Sequence, residues 1–119
     1  MNNQALESLR KRLAAFAAER DWDQFHSPKN LSMALIAEAA ELVEHFQWRT
    51  EQQSADLDSQ TLDAVALELA DIFIYLVRIS DKLGVNLMEA ADKKIAINES
   101  RYPADKVRGD ARRASEYDQ

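Results

Sequence analysis

The chain has no cysteine, which removes disulfides, thiolate metal sites and a cysteine nucleophile together. Glycine and proline are nearly as scarce, two of each in 119 residues. Neither a turn-rich β architecture nor a glycine-rich phosphate loop can be built from so few. No apolar run approaches the roughly 20 residues of a membrane-spanning helix, and the mixed-charge N-terminus does not resemble a signal peptide. Positive charge is in deficit, with 15 Lys and Arg against 21 Asp and Glu, a net charge of −6. That balance argues against duplex nucleic acid or a membrane surface as a partner. A phosphorylated small molecule stays open, provided metal ions bridge the charges. A cytoplasmic protein is the expectation.

What remains is helical periodicity, and it predicts an all-α chain with four main helices. The first covers about residues 4 to 19, with Leu6, Leu9, Leu13 and Phe16 at steps of three and four. An aromatic, non-repetitive stretch follows from Arg20 to His26. Ser27-Pro28 reads as an N-cap with proline at the first helical position, opening a second helix that ends near Trp48. The polar segment Thr50 to Ser59 is expected to be a loop. The third helix carries Leu62, Val65, Leu69, Ile72, Leu76, Ile79 and Leu83 on one stripe. Its apolar arc is wider than one four-helix layer covers easily, so a four-helix bundle completed by homo-oligomerisation, as a homodimer or homotetramer, is predicted. Gly84 suits a C′ position. Asn86 with Glu89 suits the start of a fourth helix running to about Arg101, before Pro103. Residues 1–103 are read as one all-α domain, and residues 104–119 as a charged, mobile C-terminal tail.

Two acidic pairs carry the functional signal: Glu38-x-x-Glu41 and Glu68-x-x-Asp71, with 26 residues between them. Residues three apart share a helix face, so two adjacent helices could converge four carboxylates on one point. An all-oxygen, negative site of that kind suits a hard divalent cation such as Mg²⁺. The alternative is two solvated acidic faces. Glu38 projects only about 20° from the Leu31 direction, so it borders the apolar seam. Glu38, Glu41 and Glu44 stand on a helix without Lys or Arg between Leu31 and Phe46, where like charges repel. Spacing alone leaves the two readings level. A di-iron carboxylate bundle wants Glu-x-x-His on two helices, and the only histidines, His26 and His45, do not supply it; zinc is disfavoured likewise.

Trp22, Phe25, His26 and Trp48 bracket the second helix and read either as core and capping contacts or as a slot that stacks a nucleobase. Glu68, Asp71, Tyr75 and Arg78 fill the polar wedge of the third helix, a solvent face unless Tyr75 marks a pocket. On the fourth helix Lys94, Asn98 and Arg101 share a face, followed by Tyr102; they could hold phosphate oxygens or form a solvated basic face.

With these residues in place, the chain resembles the all-α nucleoside triphosphate pyrophosphohydrolases of the MazG-like superfamily, and most of all the dCTP pyrophosphatase branch. The resemblance rests on Glu38-Ala-Ala-Glu41 and Glu68-Leu-Ala-Asp71. It rests more specifically on Arg20-Asp21-Trp22-Asp23-Gln24-Phe25-His26, Phe46-Gln47-Trp48, and Asn98 with Arg101-Tyr102-Pro103. It covers roughly residues 13 to 103. It implies Mg²⁺-dependent hydrolysis, with Mn²⁺ able to substitute, of a nucleoside triphosphate to the monophosphate and pyrophosphate. The implied substrate is dCTP or a related or modified pyrimidine nucleotide. By the same resemblance Glu38, Glu41, Glu68 and Asp71 are metal ligands. Trp22, Trp48 and Tyr75 line the nucleotide pocket, with His26 beside them. Lys94, Asn98, Arg101 and Tyr102 contact phosphate or sugar. Glu41 is the expected general base. One departure stands out: where animal enzymes of this branch place a base-contacting histidine, this chain has Leu13. A non-catalytic helical oligomerisation module with solvated acidic faces is the rival reading.

Overall fold

The computed structural model describes residues 3–112 and 114–117. Among them there is no strand, and the chain falls into two compact units, Met1–Val85 and Asn86–Gln119. The first unit contains α1 (Asn3–Glu19), a short 3₁₀ turn (Asp23–Phe25), α2 (Pro28–Glu44), α3 (Glu51–Ser54) and α4 (Ser59–Leu83). The second contains α5 (Leu87–Arg101), α6 (Ala104–Val107) and α7 (Ala114–Tyr117). Part of the segment expected as a tail therefore forms single helical turns.

Local chemistry sets most of the boundaries. The Asn30 N–H donates to Ser27 Oγ at 3.1 Å, and Pro28 occupies the first turn of α2. Asp58 caps α4 by accepting from the Thr61 N–H at 2.7 Å. Gly84, at φ +68°, closes α4 in the left-handed region. Asn86 caps α5 by accepting from the Glu89 N–H at 3.1 Å. Two expectations need adjusting. The second helix ends at Glu44 instead of near Trp48, as tighter turns take over and Arg49 Nε donates to the freed His45 carbonyl at 2.8 Å. The expected loop from Thr50 contains α3, because Thr50 and Gln53 form a reciprocal capping box.

The end of α1 positions an aromatic wall. Asp21 adopts φ +56°, while Asp21 N–H reaches the Ala18 carbonyl at 3.1 Å and Trp22 N–H reaches the Ala17 carbonyl at 2.9 Å. This is a Schellman closure with Asp, which tolerates left-handed geometry better than most residues, where glycine is usual. It folds Trp22 back onto Phe16, ring centroids 5.7 Å apart and edge to face. Arg20 lies 3.6 Å over the other aromatic partner, the Phe16 ring.

In the first unit α2 packs along α4, and α1 also packs against α4. Ala17, Leu31, Val65 and Val77 form its fully buried apolar core. Many large apolar side chains remain exposed, among them Met33, Ile36 and Val43 on α2 and Leu62, Leu67, Leu69 and Leu83 on α4. Arg78 is 4% exposed among the apolar residues of α4. It reaches Asp23 at 2.9 Å and Asp81 at 3.4 Å. Lys82 holds the same Asp23 at 3.0 Å, and Arg10 of α1 holds Asp81 at 2.9 Å. These ion pairs tie α1 and the Asp23 turn to the C-terminal half of α4. No helix among the described residues is long and apolar enough to cross a membrane.

Candidate metal centre and adjoining cleft

The packing of α2 on α4 brings the two acidic pairs to one place. Glu38, Glu41 and Glu68 each offer a carboxylate oxygen, and the three oxygens lie within 4.8 Å of one another. Oε2 of Glu38 and Oε2 of Glu68 are buried without a hydrogen-bond partner. Among the described residues no other buried side-chain oxygen or nitrogen is in that position. Loss of solvent, followed by the neighbouring Glu41 and Glu68 carboxylates, pushes the Glu38 carboxyl up to about 7. Glu41 is the exposed member of the set. A group of buried, unpartnered, like-charged oxygens is unfavourable alone and is relieved by a cation. The donor set is oxygen only, so it fits a hard divalent ion and lacks the nitrogen that zinc or di-iron sites use.

Asp71 is outside the 4.8 Å group. It lies at the junction with a cleft of about 480 Å³ lined by Leu9, Arg12, Leu13, Phe16, Ala17, Trp22, His26, Asp71, Ile74, Tyr75 and Arg78. Desolvation, then the charges of Glu38 and Asp71, raise the Tyr75 phenol above its ordinary range. Tyr75 and Asp71 therefore link the acidic centre to the cleft. Trp22, His26 and Tyr75 are brought together there. Leu13 is in the same wall.

Trp48 is not. It is 88% exposed and outside the cleft. Lys94 and Asn98 lie exposed on α5 in the second unit, with Arg101 at its last position. The Arg101 guanidinium sits 5.9 Å from the Tyr102 ring centre, and the Tyr102 N–H donates to the Asn98 carbonyl at 2.8 Å.

Sequence reasoning had not given Arg12 or Arg78 a role in this cleft. The signal for Arg78 was present in the steps of four and three from Asp71 to Tyr75 to Arg78, which put all three on one helix face. What could not be read was that this face turns inward.

The sequence model of the MazG-like family matches residues 34–116. The chain is 43% identical over 113 residues to dCTP pyrophosphatase 1 of Homo sapiens, covering 93% of this chain and 66% of that protein. It is 44% identical over 108 residues to dCTP pyrophosphatase 1 of Rattus norvegicus, covering 89% of this chain and 64% of that protein. The chain thus spans just under two thirds of the length of these curated relatives. A crystal structure of a pyrophosphatase from Archaeoglobus fulgidus is similar at a TM-score of 0.75 and 34% identity, over 87% of this chain and 96% of that one.

Proposed function

The chain belongs to the MazG-like family, and on that premise we propose that it is a metal-dependent nucleoside triphosphate pyrophosphohydrolase of the cytoplasm. It releases pyrophosphate and leaves the monophosphate. The names of its relatives point to dCTP or a related or modified pyrimidine nucleotide as substrate. The observation that carries the reading is the convergence of Glu38, Glu41 and Glu68, two of them with buried, unpartnered oxygens, beside an aromatic cleft.

Mg²⁺ is the proposed cation, with Mn²⁺ able to replace it. Bound there, it would supply charge neutralisation for the triphosphate and a Lewis-acid centre for phosphoryl oxygens. Glu38 and Glu68 would hold it through their buried oxygens, and Asp71 would complete the ligand set from the cleft side. Glu41, the exposed member, takes the proton from the attacking water. Trp22 and Tyr75 flank the base, where a stacked aromatic contributes about 1–3 kcal/mol, and His26 supplies a polar edge. Lys94, Asn98, Arg101 and Tyr102 are proposed contacts for phosphate or sugar. Support comes from the shared face and exposure of the first two and the charge of Lys94 and Arg101. The exposed leucines of α4 and the exposed Trp48 favour a homodimer or homotetramer, in which Trp48 would be covered and complete the nucleotide slot.

The test is pyrophosphate release from dCTP with Mg²⁺ and with chelator, for the wild type, Glu41→Gln and Asp71→Asn. Chelation should abolish activity, and each substitution should lower kcat by about 100-fold or more, the range of a lost general base or charged ligand. Activity indifferent to both substitutions would favour the rival reading, a non-catalytic oligomerisation module whose preparations carry a contaminating enzyme.

A further inference from the structure

His26 is the one imidazole of the cleft wall, and a buried cation dictates where its proton sits. Arg78 Nε and Nη2 lie 3.4 and 3.2 Å from His26 Nδ1. A guanidinium has donors only and keeps its charge in proteins. Nδ1 must therefore accept, and the neutral ring must carry its hydrogen on Nε2. Arg78 cannot swing away easily, since its Nη2 also donates to Asp23 at 2.9 Å, its Nη1 donates to Asp81 at 3.4 Å, and its side chain is 5% exposed.

On balance the groups facing the ring favour a neutral imidazole. Desolvation, then the Arg78 charge, lower the His26 pKa, with Lys82 adding to the effect and Asp23 opposing it. Nε2 is on the side of the ring away from Arg78, and no hydrogen bond to it is found among the described residues. The ring stands 6.2 Å from Trp22, centre to centre, in the wall of the same cleft.

We propose that Arg78 is a positioning residue that locks His26 as the Nε2–H tautomer, so that the cleft presents one fixed donor to a hydrogen-bond acceptor on the base. The chemical class selected is a base with a ring carbonyl oxygen or an unprotonated ring nitrogen at that edge. A base with an amino group or ring N–H there would set donor against donor and bind roughly 10-fold or more weakly. This inference rests on the reading of the cleft as a nucleotide site. An unclamped histidine could exchange tautomers and serve as donor or acceptor, so the selectivity comes from Arg78 and not from His26 alone.

The experiment has two arms. Multiple-bond ¹H–¹⁵N NMR of the wild-type protein labelled at histidine identifies which ring nitrogen of His26 is protonated at pH 7. The expected result is a hydrogen on Nε2 alone, kept in Arg78→Lys and lost to a tautomer mixture in Arg78→Met. In the second arm, Arg78→Met should raise KM for dCTP roughly 10-fold with kcat little changed, Arg78→Lys should stay nearer the wild type, and Arg78→Met should add nothing to KM in a His26→Ala background. A wild-type ring protonated on Nδ1, or an Arg78→Met KM effect that persists without His26, overturns the clamp. The wild-type spectrum decides even if Arg78→Met fails to fold. An Nε2–H ring in a protein that hydrolyses no nucleotide would sink the enzymatic reading instead, whereas an Nδ1–H ring in an active enzyme would sink this inference alone.

Discussion

Arg78→Met should destabilise the protein by about 1.5–3 kcal/mol, less than the 3–5 kcal/mol usual when a buried ion pair is broken. The reason is in the network. Removing the guanidinium takes away one short charge-assisted contact, to Asp23 at 2.9 Å, and longer ones to Asp81 and His26. Neither carboxylate is then abandoned, because Lys82 still holds Asp23 at 3.0 Å and Arg10 still holds Asp81 at 2.9 Å. The Asp23 side chain is also 47% exposed, so water can serve it. Methionine retains most of the aliphatic stem that packs in α4. At about 4 °C per kcal/mol for a chain of this size, Tm should fall by about 6–12 °C. Urea unfolding followed by circular dichroism measures the change, with an unaltered slope against denaturant. Adding Arg10→Met removes the second cation from Asp81, and the pair should be worse than additive by about 1 kcal/mol. A loss below about 0.5 kcal/mol, or strict additivity of the two substitutions, would refute the network.

Two further outcomes follow from the same turn. The folded-state pKa of His26 lies below its ordinary 6.5, so below that pH the unfolded chain takes up a proton that the folded chain refuses. The His26 contribution to stability should therefore fall on acidification and recover toward pH 7, against an opposite contribution from the raised Glu38 carboxyl. Urea unfolding of wild type and His26→Gln between pH 5 and 7.5 checks it, the stability of the wild type relative to the substituted protein rising with pH. Asp21→Val should cost about 1–2 kcal/mol, because a β-branched residue is forced into left-handed geometry at φ +56°, whereas Asp21→Gly should be neutral or stabilising. Equal thermal midpoints for the two Asp21 substitutions would contradict the Schellman closure.

The helices were legible in the sequence because their determinants are local. Apolar steps of three and four, Ser27 before Pro28, Gly84 after Leu83 and Asn86 before Glu89 each act within one or two turns of backbone. The capping box at Thr50 and Gln53 was equally local and could have been read. The acidic pairs were also visible, since i, i+3 spacing fixes which side chains share a face. Other features depend on which faces α1, α2 and α4 turn toward one another, and no local spacing encodes that. Packing alone gathered Glu38, Glu41 and Glu68 while leaving Asp71 at the cleft. It left Trp48 exposed, and it turned the polar wedge at Arg78 inward. A guanidinium among apolar residues of α4 is tolerable only because Asp23, His26 and Asp81 arrive from sequence positions up to 55 residues away. The string of residues determined the rods and their charged stripes; the burial that gives those charges their chemistry was decided by tertiary contact, where loss of water makes each neighbour count.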